Sequence, residues 1–375
     1  MLKVITARFH PPKPSSRRFD GLTILVVGAS TGIGLEAAKK LAAQGTSTLI
    51  ITARDEAKAA TTKATIEEHL ASSSAFSGPL PVIVPLVVEM TSPDSIYNLV
   101  NRLKQTTNHL DHAIISAGLL AGSYNQAETG YESSLQVNAI SPTLLSTHLL
   151  PLLLASPLVQ KATVAERPHL TLVSSGAAWL ASRSIIEPIL NSTAPLRDLS
   201  RPEAFTPGVM GGQRHYCLTK LMLEYSMRHL AFLPGIEDTE KKPKVLVASV
   251  CPGAVNLDLS RHSASSGVVG MMAKIVNNTV ARTAEQGANI YISSLGLGEE
   301  GRGQMWTDDH ISMDYKTFLS TSEGKRLGDR VVQELQSFVK QYGHRKRHLI
   351  SPFLCDINVV QLRCQSSSQL GCWAL

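Results

Sequence analysis

Short apolar runs alternate along the chain with longer segments of helical periodicity, beginning at residue 22. The apolar runs contain few polar residues, which is typical of strands buried on both faces. They span residues 22–28, 47–53, 80–88, 112–117, 169–175 and 244–250. The helical segments span residues 33–45, 55–71 and 93–105, with another helix around 130–150 and one that begins near Tyr216. This alternation predicts an α/β fold, a doubly wound parallel sheet with helices on both faces.

The same pattern indicates how the chain is divided. We predict a basic, disordered arm over residues 1–19, a single α/β domain over 20–343 and an irregular tail over 344–375. Parallel sheets bind ligands at the carboxyl ends of their strands, where the winding direction switches. Residues with functional chemistry are therefore expected directly after the predicted strands.

Charge and cysteine content exclude several classes of function. The net charge of +6 comes from basic residues near the two ends of the chain, so we expect no nucleic-acid partner. None of the five cysteines forms a CxxC pair, which argues against a zinc site or a disulfide framework and favours a reducing, cytoplasmic setting. The longest apolar run, residues 148–159, is interrupted by Pro151 and Pro157, and we expect no integral membrane segment.

A glycine-rich turn, GASTGIG at residues 28–34, follows the first predicted strand. Glycine permits the tight turn, and the helix that begins there directs free N–H groups at a bound pyrophosphate. No Lys-Ser/Thr pair follows, so this is not a phosphate loop of the nucleotide-triphosphate type. Such a turn alone can be simple punctuation, but its position between the first strand and the first helix favours dinucleotide binding. The predicted cofactor-binding residues here are Gly28, Ser30, Gly32, Ile33 and Gly34.

The end of the second predicted strand indicates which dinucleotide binds. An acidic residue there would hold an unphosphorylated ribose, whereas an arginine would accept a 2′-phosphate. Arg54 directly follows the strand and Asp55 comes next. Because Asp55 can instead cap the following helix, we predict NADP(H) rather than NAD(H), with Arg54 as the phosphate-binding residue.

Tyr216 and Lys220 are four positions apart and therefore lie on one face of a predicted helix. An ammonium beside a phenol favours the phenolate and lowers the phenol pKa toward the range where proton transfer is efficient. An amphipathic helix with an exposed lysine produces the same spacing, but the context is more specific. Ser175 ends the fifth predicted strand, where a hydroxyl can hold a carbonyl oxygen. The turn Pro252-Gly253 follows the sixth strand.

Asn138 is a polar residue in an otherwise apolar predicted helix. Its amide either is satisfied by the backbone or anchors a water molecule that leads to the lysine. The sequence leaves both alternatives open.

Taken in order, these motifs resemble the short-chain dehydrogenase/reductase family over roughly residues 20–340. The turn at 28–34 is similar to the family's TGxxxGIG motif, with Val27 where threonine is usual, and the catalytic Asn-Ser-Tyr-Lys set is matched by Asn138, Ser175, Tyr216 and Lys220. Glu89 stands where an aspartate usually contacts adenine, and Ser116 replaces a structural asparagine. The resemblance extends the cofactor-binding set to Glu89, Ser116, Tyr216, Lys220, Pro252, Gly253 and Val255.

The resemblance implies a Rossmann-type fold and a reaction between a ketone or aldehyde and the corresponding alcohol. NADPH would deliver hydride to the carbonyl carbon while Tyr216 protonates the oxygen. Ser175 would polarise that oxygen, Lys220 would lower the tyrosine pKa and bind the ribose, and Asn138 would support a proton relay through water. The family often pairs subunits, which allows a homo-oligomer.

The separation of 41 positions between Ser175 and Tyr216 is longer than in short members of the family. We expect residues 176–213, called the insertion below, to form a flap beside the active site. This length resembles the retinol-dehydrogenase-like branch and reductases of fungal secondary metabolism, which implies a bulky, largely apolar substrate such as a polyketide.

Two alternatives use the same fold differently. A dinucleotide-binding regulator would bind the cofactor without catalysis, although such proteins commonly lose the tyrosine or the lysine. An extended-branch epimerase or dehydratase would share the Tyr-Lys pair, but it would typically show a G-x-x-G-x-x-G turn and a larger carboxyl-terminal substrate domain.

Overall fold

The computed structural model describes residues 11–73, 78–255, 281–312 and 316–345. Its strands are β1 (Thr23–Val27), β2 (Thr48–Ala53), β3 (Val82–Val87), β4 (His112–Ile115), β5 (His169–Val173), β6 (Leu246–Val250), β7 (Met305–Thr307) and β8 (His310–Ile311). The helices before the insertion are α1 (Gly32–Ala43), α2 (Glu56–Ser72), α3 (Pro93–Thr106) and α4 (Ser133–Leu154). The later helices are α5 (Arg183–Leu190), α6 (Pro195–Leu199), α7 (Val209–Ala231), α8 (Ala284–Ser294), α9 (Lys316–Leu319) and α10 (Ser322–Arg345).

The described strands form one sheet in the order β3-β2-β1-β4-β5-β6-β7-β8. Strands β1 to β7 run parallel, and β8 pairs antiparallel to β7. The chain moves outward from β1 to β3 and then returns to place β4 on the other side of β1. The carboxyl ends of β1 and β4 therefore border the crevice in which doubly wound sheets bind ligands.

Apolar side chains cover both faces of the sheet, which confirms the predicted α/β class. Strands β1 and β6 are buried at every position. Helices α3, α4, α7 and α10 pack on one face, and α1, α2 and α8 pack on the other. A layer of helices on each side explains why the strands are continuously apolar rather than alternating.

Two elements differ from the sequence expectation. Helix α7 begins at Val209 rather than near Tyr216, so the tyrosine lies about two turns inside the helix. Strands β7 and β8 were not predicted. They contain three and two residues, which is too few for a hydrophobic period to be recognised in the sequence. Asp308 and Asp309, both with positive φ, form the tight turn between them.

The amino-terminal segment also differs from the disordered arm predicted over residues 1–19. Residues 11–19 lie against the domain, and the Phe19 side chain is fully buried. The side chain of Asn289 donates to the Pro12 carbonyl at 3.0 Å, and Gln44 donates to the Ser15 carbonyl at 2.5 Å. Apolar burial and backbone hydrogen bonds hold this segment in place. Residues 1–10 and most of the predicted tail, 346–375, lie outside the described residues.

Helix α4 is long and apolar enough to span a bilayer by length and composition. The helix Ser133–Leu154 has the length and the hydropathy of a membrane span, although the shorter apolar run at 148–159 suggested none. Within its most apolar stretch, 89% of the residues are buried inside the domain. Burial of this extent is typical of a core helix.

Candidate active site

The glycine turn has the geometry of a pyrophosphate cradle. Gly28 has a φ of +80°, and a Cβ on it would lie 2.9 Å from the Ala117 nitrogen. A Cβ on Gly34 would lie 2.2 Å from the Gly28 carbonyl oxygen, so only glycine fits both positions. Thr31 precedes α1 without capping it through its side chain, which leaves the first N–H groups of the helix available to an anion. These residues fit the pyrophosphate of a dinucleotide.

Three of the predicted cofactor-binding side chains meet beside this turn. A Cβ on Gly287 would lie 2.9 Å from Val255 Cγ2, 3.5 Å from Ile33 Cδ1 and 3.5 Å from Pro252 Cβ. The structure therefore brings the loop after β6 next to the start of α1. The resulting wall is apolar and borders the cradle.

A buried arginine that the sequence did not reveal holds the Pro-Gly turn. Gly253 has a φ of +78°, and a Cβ there would lie 2.7 Å from Arg282 Nη1. Arg282 donates to the Pro252 carbonyl at 3.2 Å and pairs with Asp308 at 2.6 Å. The guanidinium thus ties the turn after β6 to the β7–β8 hairpin.

The two residues after β2 have separate environments. Asp55 Oδ1 accepts from the Lys58 N–H at 2.8 Å and caps α2, and this hydrogen bond lowers the pKa of the Asp55 carboxyl. Arg54 is exposed at the carboxyl edge of the sheet. The Asp55 carboxylate is thus engaged as the helix cap, whereas the Arg54 guanidinium is available to a phosphate.

Glu89 and Ser116, which the resemblance places on the cofactor, both have protein partners. Glu89 Oε1 accepts from the N–H and the hydroxyl of Thr91, each at 3.0 Å. The Ser116 hydroxyl lies 3.1 Å from the hydroxyl of Tyr291, a buried residue of α8 that the sequence did not single out. Their contacts with a cofactor remain predictions.

Ser175 and Tyr216 lie together at the carboxyl edge. Ser175 caps the short 3-10 helix Gly176–Leu180, accepting from the Ala177 N–H at 3.1 Å. Burial raises the pKa of the Tyr216 phenol, and the nearby Ser175 hydroxyl opposes that rise. The two hydroxyls are therefore close enough to hold the same substrate oxygen.

Lys220 lies one turn from Tyr216 and is almost fully buried. Its ammonium donates to the Val173 carbonyl at 2.9 Å and lies 5.6 Å from the centre of the Tyr216 ring. Burial lowers the pKa of Lys220 to about 8. The sequence argument expected the lysine to lower the tyrosine pKa, but in this structure burial of the phenol dominates, and Ser175 is the group that lowers it.

The structure favours the backbone alternative for Asn138. Its side chain accepts from the Leu119 N–H at 2.8 Å and donates to the Leu119 carbonyl at 2.7 Å and the Thr219 hydroxyl at 3.0 Å. The residue lies in a π-helical turn of α4, Gln136–Ile140, and such turns often occur at functional sites. Both ends of the amide are thus used to hold the segment after β4 against α7.

A buried pair beside the tyrosine was also missed from sequence. Glu132 is fully buried, accepts from the first N–H groups of α4, and lies 2.9 Å from His215 Nε2. His215 directly precedes Tyr216, so the pair fixes α7 against the start of α4. Residues 83 positions apart in sequence give no local signal of such a contact.

The chain is similar to known proteins in sequence and in fold. The family described as short chain dehydrogenase matches residues 22–162. The short-chain dehydrogenase sdnK of Sordaria araneosa is 31% identical over 347 residues, which cover 87% of this chain and 92% of that protein. The chain belongs to the short-chain dehydrogenase/reductase family. A second relative in this family, the short-chain dehydrogenase/reductase ffsI of Aspergillus flavipes, is 29% identical over 87% of this chain and 88% of its own length.

Solved structures of the family share the fold. The NADPH-bound carbonyl reductase from chicken fatty liver superposes with a TM-score of 0.54 at 18% identity, over 82% of this chain and 98% of that chain. The short chain dehydrogenase from Shigella flexneri gives a TM-score of 0.50 at 19% identity, over 80% and 98%. At these identities the likeness shows the fold alone.

The insertion of this family member has a buried and an exposed side. Its helices α5 and α6 pack into the core through Ile186, Ile189, Leu190, Leu196 and Leu199. Leu180, Val209 and Met210, called the apolar rim below, are 65%, 61% and 83% exposed. Leu180 ends the 3-10 helix after Ser175, and the other two begin the helix that carries Tyr216.

Proposed function

We propose that the protein is an NADP(H)-dependent oxidoreductase that interconverts a carbonyl and an alcohol on a bulky, apolar substrate. The observation that carries this proposal is the meeting of Ser175, Tyr216 and Lys220 at the carboxyl edge of the sheet. The glycine cradle lies at the same edge, after β1. A partly buried phenol, a hydroxyl beside it and an ammonium one turn away are the groups that a carbonyl reduction requires.

When bound, NADPH supplies the hydride for the carbonyl carbon. Tyr216 donates its proton to the substrate oxygen, and the Ser175 hydroxyl polarises that oxygen from beside it. Ser175, whose hydroxyl lowers the pKa of Tyr216, favours the phenolate that remains after proton transfer, and Lys220 would bind the cofactor ribose. Asn138 holds the segment around Gly118. A Cβ on Gly118 would lie 3.6 Å from Asn138 Oδ1 and 3.9 Å from Lys220 Nζ.

The choice of NADP(H) rests on Arg54. Its exposed guanidinium follows β2 directly, while Asp55 is engaged in capping α2. A planar fork of N–H donors suits a 2′-phosphate better than a bare ribose. The NADPH-bound carbonyl reductase that shares the fold is consistent with this choice.

The class of substrate is inferred from the apolar rim. Three of the large hydrophobic side chains that are most exposed in the described residues belong to the insertion, on the elements that carry Ser175 and Tyr216. Exposed apolar side chains on these elements would suit an apolar substrate. The relatives named above are fungal, and the family resemblance favours a polyketide-type metabolite as substrate, handled in the cytoplasm.

The proposal is tested by following NADPH absorbance with a panel of ketones and aldehydes of increasing apolar size. We expect turnover that improves with apolar bulk and that is slower with NADH. Binding of NADPH without turnover of any carbonyl, or of any alcohol in the presence of NADP, would favour the alternative of a non-catalytic regulator.

A further inference from the structure

A carboxyl group lies one helical turn beyond Lys220, in the interior of the domain. Glu224 continues the spacing of Tyr216 and Lys220 on α7, so the three side chains share one face of the helix. Glu224 is 0% exposed. A buried carboxyl is destabilising unless it is paired, so its presence requires an explanation that the mechanism above does not supply.

Glu224 has few hydrogen bonds for a buried carboxyl. Its Oε2 accepts from the Ser249 hydroxyl of β6 at 3.1 Å. Its Oε1 makes no hydrogen bond of good geometry to any described residue. The hydroxyl of Ser174, the residue before Ser175, lies close enough to lower the pKa of the carboxyl without completing such a bond. Hydrogen bonding therefore accounts for only part of the stability of this group.

The charged neighbours of Glu224 contribute less than these hydroxyls. Burial raises the pKa of the carboxyl, and after the two serines Arg228 and Lys220, one turn away on either side along α7, partly oppose this rise. Burial lowers the pKa of Lys220 to about 8, and the Glu224 carboxylate is the main group that opposes this effect. The thiol of Cys251, after β6, adds a smaller contribution of the same sign. Among the described residues, the ammonium also donates to the uncharged Val173 carbonyl of β5.

We propose that Glu224 is a positioning residue that keeps Lys220 protonated and in place at working pH. The inference rests on the proposed function, because it concerns the lysine of the same site. An ammonium buried this deeply needs a nearby negative charge to remain charged at neutral pH. A neutral amine would bind a ribose hydroxyl less strongly than an ammonium does.

The test is the variant Glu224→Gln, which keeps the shape of the side chain and an oxygen that can accept from Ser249. Removal of the negative charge lowers the Lys220 pKa, so the ammonium loses its proton at a lower pH. We expect the alkaline limb of kcat/KM, and that of NADPH affinity measured by fluorescence, to move down by about one pH unit. Near pH 6, where Lys220 is charged in both proteins, the two should agree within about threefold.

Two further variants separate charge from packing. Ser226→Ala alters an equally buried position on α7, which hydrogen-bonds Thr143 at 2.6 Å, and should leave the alkaline limb in place. Glu224→Asp keeps the charge but retracts it, and should move the limb in the same direction by a smaller amount. If Glu224→Gln does not fold, the pH profile of Glu224→Asp is measured in its place.

A uniform loss at every pH with an unmoved alkaline limb would show a purely structural role and overturn the inference. The NADPH titration keeps this result separate from the proposed function. If wild-type protein binds NADPH but reduces no carbonyl, the proposed function fails, while the pH dependence of binding still reports on the pair of Glu224 and Lys220.

Discussion

Replacement of Arg54 by alanine isolates the group on which the cofactor choice depends. The guanidinium is exposed, so its contact with a 2′-phosphate is partly screened by water and salt. A hydrogen bond to a charged group contributes about 1.5–3 kcal/mol, and we reduce this to about 1–2 kcal/mol for an exposed site. That range corresponds to a loss of about 5- to 30-fold in NADPH affinity. NADH lacks the phosphate, so its affinity should change by less than about twofold.

The assay is a fluorescence titration of both cofactors at low and at moderate salt. Wild-type affinity for NADPH should fall as salt increases, and the Arg54→Ala variant should lose most of that dependence. Arg102→Ala removes the same charge from an exposed position on α3 and should leave the ratio of the two affinities unchanged. Equal losses for NADPH and NADH, or no loss for NADPH, would refute the assignment of Arg54.

Three other predictions concern the rest of the site and the stability of the fold. Gly34→Ala should abolish NADPH binding, because its Cβ would meet the Gly28 carbonyl at 2.2 Å; titration with retained affinity would contradict the cradle. Arg282→Ala should release the Pro-Gly turn and weaken NADPH binding at least tenfold, and unchanged affinity would show that the ion pair serves stability alone. Burial lowers the pKa of His148 and of His229 to about 4, so both stay neutral in the fold while the unfolded chain takes up protons near pH 6.5. Stability should therefore fall as pH decreases from about 6.5 to 4, by up to about 3 kcal/mol per histidine, and urea unfolding that is independent of pH over this range would contradict it.

The predicted part of the fold came from features that are local in sequence. Each of β1 to β6 is an apolar run of four to six residues, and the helices that follow β2 and β3 begin at the capping residues Asp55 and Ser92. The parallel sheet and its ligand-binding edge follow from their alternation. The glycine cradle was also predictable, since its turn lies within seven residues.

The unpredicted part depends on contacts between distant segments. Helix α7 begins earlier than expected, and its first turn contains Gly211 and Gly212. A Cβ on Gly211 would lie 1.7 Å from the Thr206 carbonyl, so this glycine is required by close packing rather than by flexibility. Arg282 and Glu132 find their partners across the fold, and neither carries a motif. Asn138 matched its motif, but only the structure shows its amide satisfied by Leu119.

The most direct test of the central claim is the turnover of Tyr216→Phe, measured beside its affinity for NADPH on the carbonyl that the wild-type protein reduces fastest. Loss of the phenolic proton should lower kcat by at least about 100-fold, the scale of general acid catalysis. The NADPH dissociation constant should stay within about threefold, because the cradle is untouched. Turnover close to that of the wild type would contradict the assignment of Tyr216 as the acid, and with it the account of the site given above.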